Sequence, residues 1–368
     1  MPKKVDKPFL ISFFALLILG FVVFISASLG IYARDNAKFT SIIFSQTFFG
    51  LFLGLIACFI TSKIKYRFWQ KFSFYIFFLS VIATLLVFIP GIGISHGGAN
   101  RWIYIGGLSF QPLEFLKIGF IIYFAAWVAE MKDKIKTIQY GLLPFMILIG
   151  IIGAILLKQP DTDSFIIIFI VGLAMYLIGG GKWRHLFFIA ILSLLGICSL
   201  LFTRPYLLDR VKTFINPADN PLTSGYQIQQ SLIAVGSGEI FGRGLGQSIQ
   251  KFKFLPESIG DAIFPIAAEE FGFIGGIIII LLFIFFTSAG FKVSIKAPDT
   301  FSRLLVIGIV ILITIQSLLN IASMIGVIPL SGSPLIFFSQ GGTALFFSLL
   351  EIGMIINVSK YKIAKINI

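Results

Sequence analysis

The chain has 368 residues, of which 57% are hydrophobic and only 12% charged, with a mean hydropathy of +0.99. A water-soluble domain must cover itself with polar side chains and does not reach these values, so lipid is the solvent for most of this chain. The formal net charge of +13 would suggest nucleic acid in a soluble protein, and the placement of the basic residues decides whether it does here.

A bilayer core about 30 Å thick takes roughly 20 apolar residues of helix to cross. Ten stretches satisfy this, at residues 9–31, 39–60, 72–92, 112–130, 141–157, 163–179, 186–202, 262–290, 304–326 and 335–358, the fifth and sixth being short. The fold class expected is therefore an all-α polytopic membrane protein forming one integral membrane domain over residues 1–368. With the N-terminus inside, cytoplasmic segments collect 18 of the 29 basic residues, against Arg34, Lys38, Arg101 and Lys158 in the short outer segments. Short loops report orientation best, so both termini are expected in the cytoplasm. The charge excess is thus an orientation signal, and nothing is left over to argue for nucleic acid.

Lys3, Lys4 and Lys7 before the first span, with Ser26-Ala27-Ser28 inside it, resemble a secretory signal. The apolar run exceeds the ~7–15 residues of a signal core, so it reads as an anchor. Cys58 and Cys198 both fall within expected spans and read as packing residues, with no disulfide framework and no metal spacing. Three outer segments differ from ordinary connectors. Residues 91–111 are glycine-rich and carry Arg101-Trp102; Lys158-Gln159-Pro160-Asp161-Thr162-Asp163 forms a turn; and residues 204–261 make one long extracytoplasmic loop between the seventh and eighth spans. A connection that long is functional or structured in its own right. Within it residues 226–234 suit an amphipathic helix on the membrane, followed by a glycine-rich stretch.

Ionisable groups at membrane depth are costly and need a partner or a function. Glu114 and Lys117, three apart on one helical face, can pair, either as a structural ion pair or as part of a polar cavity near Arg101 and Trp102. Glu269 and Glu270 lie about two turns into the eighth span, and one of them can partner a cation. Gln316 and Asn320, one turn apart, suit interhelical hydrogen bonding. Glu351 has no evident partner in the sequence. The long loop ends in Glu257-Ser258-Ile259-Gly260-Asp261, where partly desolvated carboxylates would gain basicity and suit general-base work. Histidine is limited to His96 and His185, so carboxylates are the main candidate bases. Arg101, Lys117, Arg243, Lys251 and Lys253 can gather around an anionic substrate such as a lipid-linked phosphate. No catalytic triad, P-loop or histidine-rich metal motif is present.

Several motifs carry a resemblance in order along most of the chain. They are Gly97-Gly98-Ala99-Asn100-Arg101-Trp102-Ile103, Gln111-Pro112-Leu113-Glu114-Phe115-Leu116-Lys117 and Lys158-Gln159-Pro160-Asp161. Further on come Asn216-Pro217 with Gly225-Tyr226-Gln227, Gly244-Leu245-Gly246-Gln247-Ser248-Ile249-Gln250-Lys251, Leu255-Pro256-Glu257 with Asp261, and Glu269-Glu270-Phe271-Gly272. Ser339-Gln340-Gly341-Gly342-Thr343 stands near the last span. Together they resemble the SEDS family of FtsW, RodA and SpoVE, and the run ending at Lys251 leans toward the FtsW and SpoVE branch. Departures are Gln340 for a usual Tyr, Gly260 and Ala262 around the retained Asp261, and Asp163 where Gly is common.

The resemblance implies a peptidoglycan glycosyltransferase that polymerises lipid II on the outer face of the bacterial cytoplasmic membrane, in division or shape maintenance. On this reading Asp261 is the general base, and Arg101, Trp102, Glu114, Lys117, Lys251, Glu257 and Ser339 bind substrate. A divalent cation, Mg or Mn, is an expected helper whose ligands the sequence does not identify, unless Glu257 is one. Implied partners are lipid II, a class B penicillin-binding transpeptidase and membrane lipids. A lipid II flippase, or a scaffold for a division transpeptidase, is the rival reading.

Overall fold

The computed structural model describes residues 5–361 apart from Arg34, 97–98, 106–107, 218–223 and Lys253. Gly97, Gly98 and Lys253 of the motifs above therefore lie outside the described residues. Because lipid offers no hydrogen-bond partners, the apolar runs close their backbone bonds internally and form helices. In chain order these are α1 Lys7–Tyr32, α2 Asn36–Phe44, α3 Gly54–Lys63, α4 Tyr66–Lys71, α5 Ser73–Leu85, α6 Pro112–Met131, α7 Leu143–Lys158, α8 Thr162–Ile178 and α9 Trp183–Thr203. Then follow α10 Pro205–Ile215, α11 Ser224–Ser237, α12 Ile263–Ile295, α13 Thr300–Met324 and α14 Gly342–Ser359. α2 runs into α3 through a π-helical stretch, Ser45–Leu53.

Eight helical stretches are long and apolar enough to cross a membrane, and two shorter apolar helices, Ser73–Phe88 and Thr162–Ile178, fall at the third and sixth expected spans. Two expectations need correction. The glycine-rich segment before α6 is a small antiparallel sheet of β1 Gly93–His96, β2 Ala99–Ile105 and β3 Leu108–Phe110, with Ile94 opposite Trp102 and Tyr104 opposite Ser109, so the chain is mostly but not wholly helical. The last helix begins at Gly342, not at 335. Residues 335–340 turn instead, with Phe337 at φ 72°, because their amides and side chains bond the end of the long loop. The loop itself is built from α10 and α11, the latter extending the amphipathic stretch expected at 226–234.

Aspartates open four of these helices, α2 among them through Asp35. Asp6 caps α1, Asp161 caps α8, and Asp299 forms a reciprocal capping box with Ser302 at the start of α13. α13 and α14 form the centre of the bundle, with 78% and 83% of their apolar windows buried, whereas α9 lies at its periphery with 12% buried. Cys58 packs in the interior as expected, but Cys198 on α9 is exposed.

α12 is broken at Gly272, where φ 69° and ψ −169° leave the helical region. The broken ladder is repaired by the long loop. Phe273 N–H donates to Glu239 O (2.8 Å) and Ile274 N–H to Ile240 O (3.2 Å), while Arg243 and Gly244 N–H donate to Glu269 O and Glu270 O (3.0 Å each). The contact is backbone on backbone, since a Cβ on Gly272 would lie 2.3 Å from the Gly242 nitrogen. Irregular backbone at such depth is tolerated only where protein fills it. Gly272→Ala should therefore cost about 1–3 kcal/mol in strain alone, and should appear as faster hydrogen exchange at the Arg243 and Gly244 amides. Unchanged protection there would count against this account of the loop's anchoring.

Candidate active site

Asp261 ends the long loop one residue before the α12 cap, and its backbone is held from three directions. Asn320 of α13, fully buried, donates through Nδ2 to Asp261 O and to Ser333 O, both at 2.8 Å. Ser339 Oγ donates to Gly260 O (2.7 Å), and Gln340 N–H donates to Ile259 O (2.7 Å). The turn closes on Glu257, whose carbonyl accepts from Gly260 N–H and Ala262 N–H (2.9 and 3.1 Å). With the peptide so fixed, the half-buried Asp261 carboxylate has no hydrogen-bond partner among the described residues. It lies against Gly332, as does Asp163: a Cβ at Gly332 would stand 3.6 Å from Asp261 Oδ2 and 3.7 Å from Asp163 Oδ2.

Burial, with the neighbouring charges of Glu257 and Asp163, pushes the Asp261 carboxyl up to about 7, against the opposing pull of Arg101 and Arg210. An acid that titrates near neutrality is matched to taking up a proton at working pH. A base works in its anionic form, so any reaction that Asp261 serves as base should slow as pH drops through about 7. Glu257→Gln removes a negative neighbour and eases ionisation of Asp261, so the acid limb of the pH–rate profile should move to lower pH. A limb that moves up or stays fixed would remove Glu257 from the site.

Two arginines serve this acidic centre. Arg101 of β2 reaches the turn between α7 and α8, where it donates to Gln159 O (3.4 Å) and Pro160 O and stands 3.7 Å from Asp161 Oδ2. Arg210 of α10 donates through Nη1 to both carboxylate oxygens of Asp163 (3.1 and 2.9 Å). Beside this pair opens a cavity of about 280 Å³ between α8, α9, α10 and the segment after α13. Its walls are mostly apolar, including Ile166, Leu200, Leu207 and Leu319.

The structure brings Arg101 and Glu257 to Asp261 and Ser339 to the neighbouring peptide, while Lys251, Glu114 and Lys117 bond within other clusters. Lys251 is a correction. Its fully buried Nζ bonds Glu270 Oε1 (2.8 Å), Gly246 O (2.7 Å) and Ser26 Oγ (3.3 Å), and Glu270 also accepts from Ser26 Oγ at 2.7 Å. Glu269 meanwhile accepts from Ser248 Oγ, Ile249 N–H and Gln250 N–H, with Arg243 at 3.5 Å. This cluster ties the loop to α1 and α12, and an ammonium so enclosed is not presented to a substrate. Ser339 is likewise a positioning residue, since its Oγ also accepts from Leu335 N–H (2.9 Å). Trp102 follows Arg101 in β2, and strand alternation turns it to the opposite face of the sheet.

Glu114 and Lys117 do pair, at 2.7 Å and both buried, but inside the bundle. Lys117 Nζ donates to Gln316 Oε1 (2.9 Å), and Gln316 Nε2 donates to Pro334 O (3.3 Å). Glu351 of α14 belongs to the same cluster, within electrostatic range of Lys117 and Glu114. Gln316 and Asn320, one turn apart on α13, thus carry two polar clusters to the 333–334 carbonyls. The described residues contain no group of three or more His, Cys, Asp or Glu arranged to hold a metal ion. Sequence reading missed Arg210, the Gly332 amide and the positioning role of Asn320; none belongs to a short-range motif.

A clamped carboxylate, two arginines and an apolar cavity at one end of a helical bundle can be compared with known proteins. The family model described as "Cell cycle protein", that of FtsW, RodA and SpoVE, matches residues 7–364. The chain belongs to this family. It is 37% identical to stage V sporulation protein E of Bacillus subtilis (strain 168) over 309 residues, 84% of each chain. With the protein of Trichlorobacter lovleyi named "Probable peptidoglycan glycosyltransferase FtsW" it shares 35% identity over 354 residues, 96% of this chain and 93% of that one. Among solved structures, a chain of a peptidoglycan synthase complex that coordinates polymerization and crosslinking superposes with TM-score 0.79 at 25% identity, covering 96% and 97% of the two chains. The rod shape determining protein RodA of Thermus thermophilus shares the fold, with TM-score 0.69 at 23% identity and 96% of each chain covered.

Proposed function

We propose that this multi-pass membrane protein is a peptidoglycan glycosyltransferase that polymerises lipid II, with its active site on the outer face of the cytoplasmic membrane and both termini inside. The observation that carries the reading is the Asp261 carboxylate, unbonded and titrating near 7, beside Arg101, Arg210 and an apolar cavity. The 4-hydroxyl of the acceptor sugar attacks the anomeric carbon of the donor and gives its proton to Asp261. The new glycosidic bond forms as the bond from that carbon to the diphosphate oxygen breaks. The leaving undecaprenyl diphosphate gathers negative charge, which Arg101 and Arg210 face. The apolar cavity suits a segment of the prenyl chain, which keeps the diphosphate at the membrane surface where the two arginines stand. A class B penicillin-binding transpeptidase is the proposed partner, by analogy with the synthase complex that the chain resembles.

The test is glycan synthesis by the purified protein from labelled lipid II. Wild type should form strands and Asp261→Asn should form them at least about 100-fold more slowly. Transfer of labelled lipid between leaflets without polymerisation would instead favour a flippase, and neither activity would leave a scaffold.

A further inference from the structure

Asp163 and Arg210 form a pair whose geometry is poorer than either group allows. A guanidinium offers five N–H donors in a planar fork, and a carboxylate meets it best through two parallel bonds. Here one nitrogen, Nη1, serves both oxygens of Asp163, and no bond is described for the other guanidinium nitrogens. Asp163 Oδ2 takes a further bond from the Gly332 N–H at 2.9 Å. A guanidinium and a backbone amide thus converge on one anionic group at the mouth of the apolar cavity, with Asp261 against the same glycine. The pair is partly open to solvent, Arg210 being 32% and Asp163 20% exposed, so a substrate group can reach it.

We infer that Asp163 is an internal stand-in for the diphosphate of the lipid-linked donor, occupying with its own carboxylate the anion site made by Arg210 and the Gly332 amide. The inference rests on the glycosyltransferase reading for the identity of the ligand and adds to it a residue that governs donor affinity. When the donor enters, its prenyl end fills the apolar cavity and its diphosphate takes Arg210 through the full fork. Asp163 gives up the guanidinium to a more highly charged and better-shaped anion. Without donor, Asp163 keeps Arg210 neutralised and α10 drawn onto α8, an attachment that Thr162 and Tyr206 share through their hydroxyls at 2.6 Å. The same carboxylate excludes small monovalent anions, which cannot match its local concentration. Donor discrimination therefore arises from competition inside the site.

The experiment measures binding of geranyl diphosphate, with inorganic pyrophosphate beside it, to the full chain in lipid nanodiscs. Asp163→Asn keeps the shape and removes the competing charge. It should tighten both probes by about fivefold, the factor corresponding to ~1 kcal/mol for a partly exposed ion pair. Geranyl diphosphate should bind more tightly than pyrophosphate in every protein with an intact cavity. Glu257→Gln removes a charge near Asp261 that does not touch Arg210, so it should change affinity much less. In an Arg210→Gln background, the effect of Asp163→Asn should vanish, as a shared site requires. Unchanged or weaker binding by Asp163→Asn, or tightening that survives the loss of Arg210, would overturn the inference. Lipid II polymerisation by wild type from the same preparation is scored separately, so failure of the stand-in is told apart from failure of the glycosyltransferase reading.

Discussion

Asp261→Asn should lower the turnover of glycan synthesis by roughly 10²–10⁴-fold, the usual contribution of a positioned general base, with little change in KM for lipid II. The amide fits the same space and cannot accept the sugar proton. The clamp on this residue acts on its backbone, through Asn320 and through Ser339 and Gln340 on the preceding peptides, so the substitution leaves the fold in place. A parallel loss of thermal stability would mean that the carboxylate is structural. A rise in KM with turnover preserved would make it a binding group.

The largest effect on stability is expected at Lys117. This ammonium is enclosed among Glu114, Gln316 and Glu351 in the centre of the bundle. Removing one partner of a buried ion pair leaves the other charge uncompensated, at a cost of about 3–5 kcal/mol. Lys117→Met should therefore yield far less folded protein and a lower thermal midpoint in detergent. Glu114→Gln added to it should recover part of the loss, because the stranded charge is reduced. A Lys117→Met protein with wild-type stability and no activity would return Lys117 to the substrate site.

Much of this molecule was legible in the sequence because lipid imposes a simple rule. Apolar runs marked the eight helices long enough to cross a membrane and the two shorter apolar ones, and buried Glu114 and Lys117 declared themselves by their helical spacing. The resemblance singled out Asp261 and a motif singled out Arg101, and the two side chains stand within electrostatic range of each other. What escaped depends on contacts between distant parts of the chain. Nothing in the spacing ties Lys251 to Ser26, 225 positions away, and without that contact it looks like a cation free for substrate. Ser339 sits in a motif, yet its bonds to Gly260 and Leu335 make it a support for the turn that carries Asp261. Residues 335–340 are apolar enough to pass for helix, but their bonds to the loop end hold them out of it. Arg210 lies on an ordinary amphipathic helix and gains its meaning only from Asp163 across the cavity mouth.

The account stands most directly on one comparison, glycan-strand formation from labelled lipid II by wild type and Asp261→Asn in the same preparation, followed as a function of pH. Wild type should make strands at a rate that falls as pH drops through about 7, and the variant should be slower by roughly 10²–10⁴-fold without that pH dependence. Strands from Asp261→Asn with the wild-type pH profile would contradict the assignment of the base.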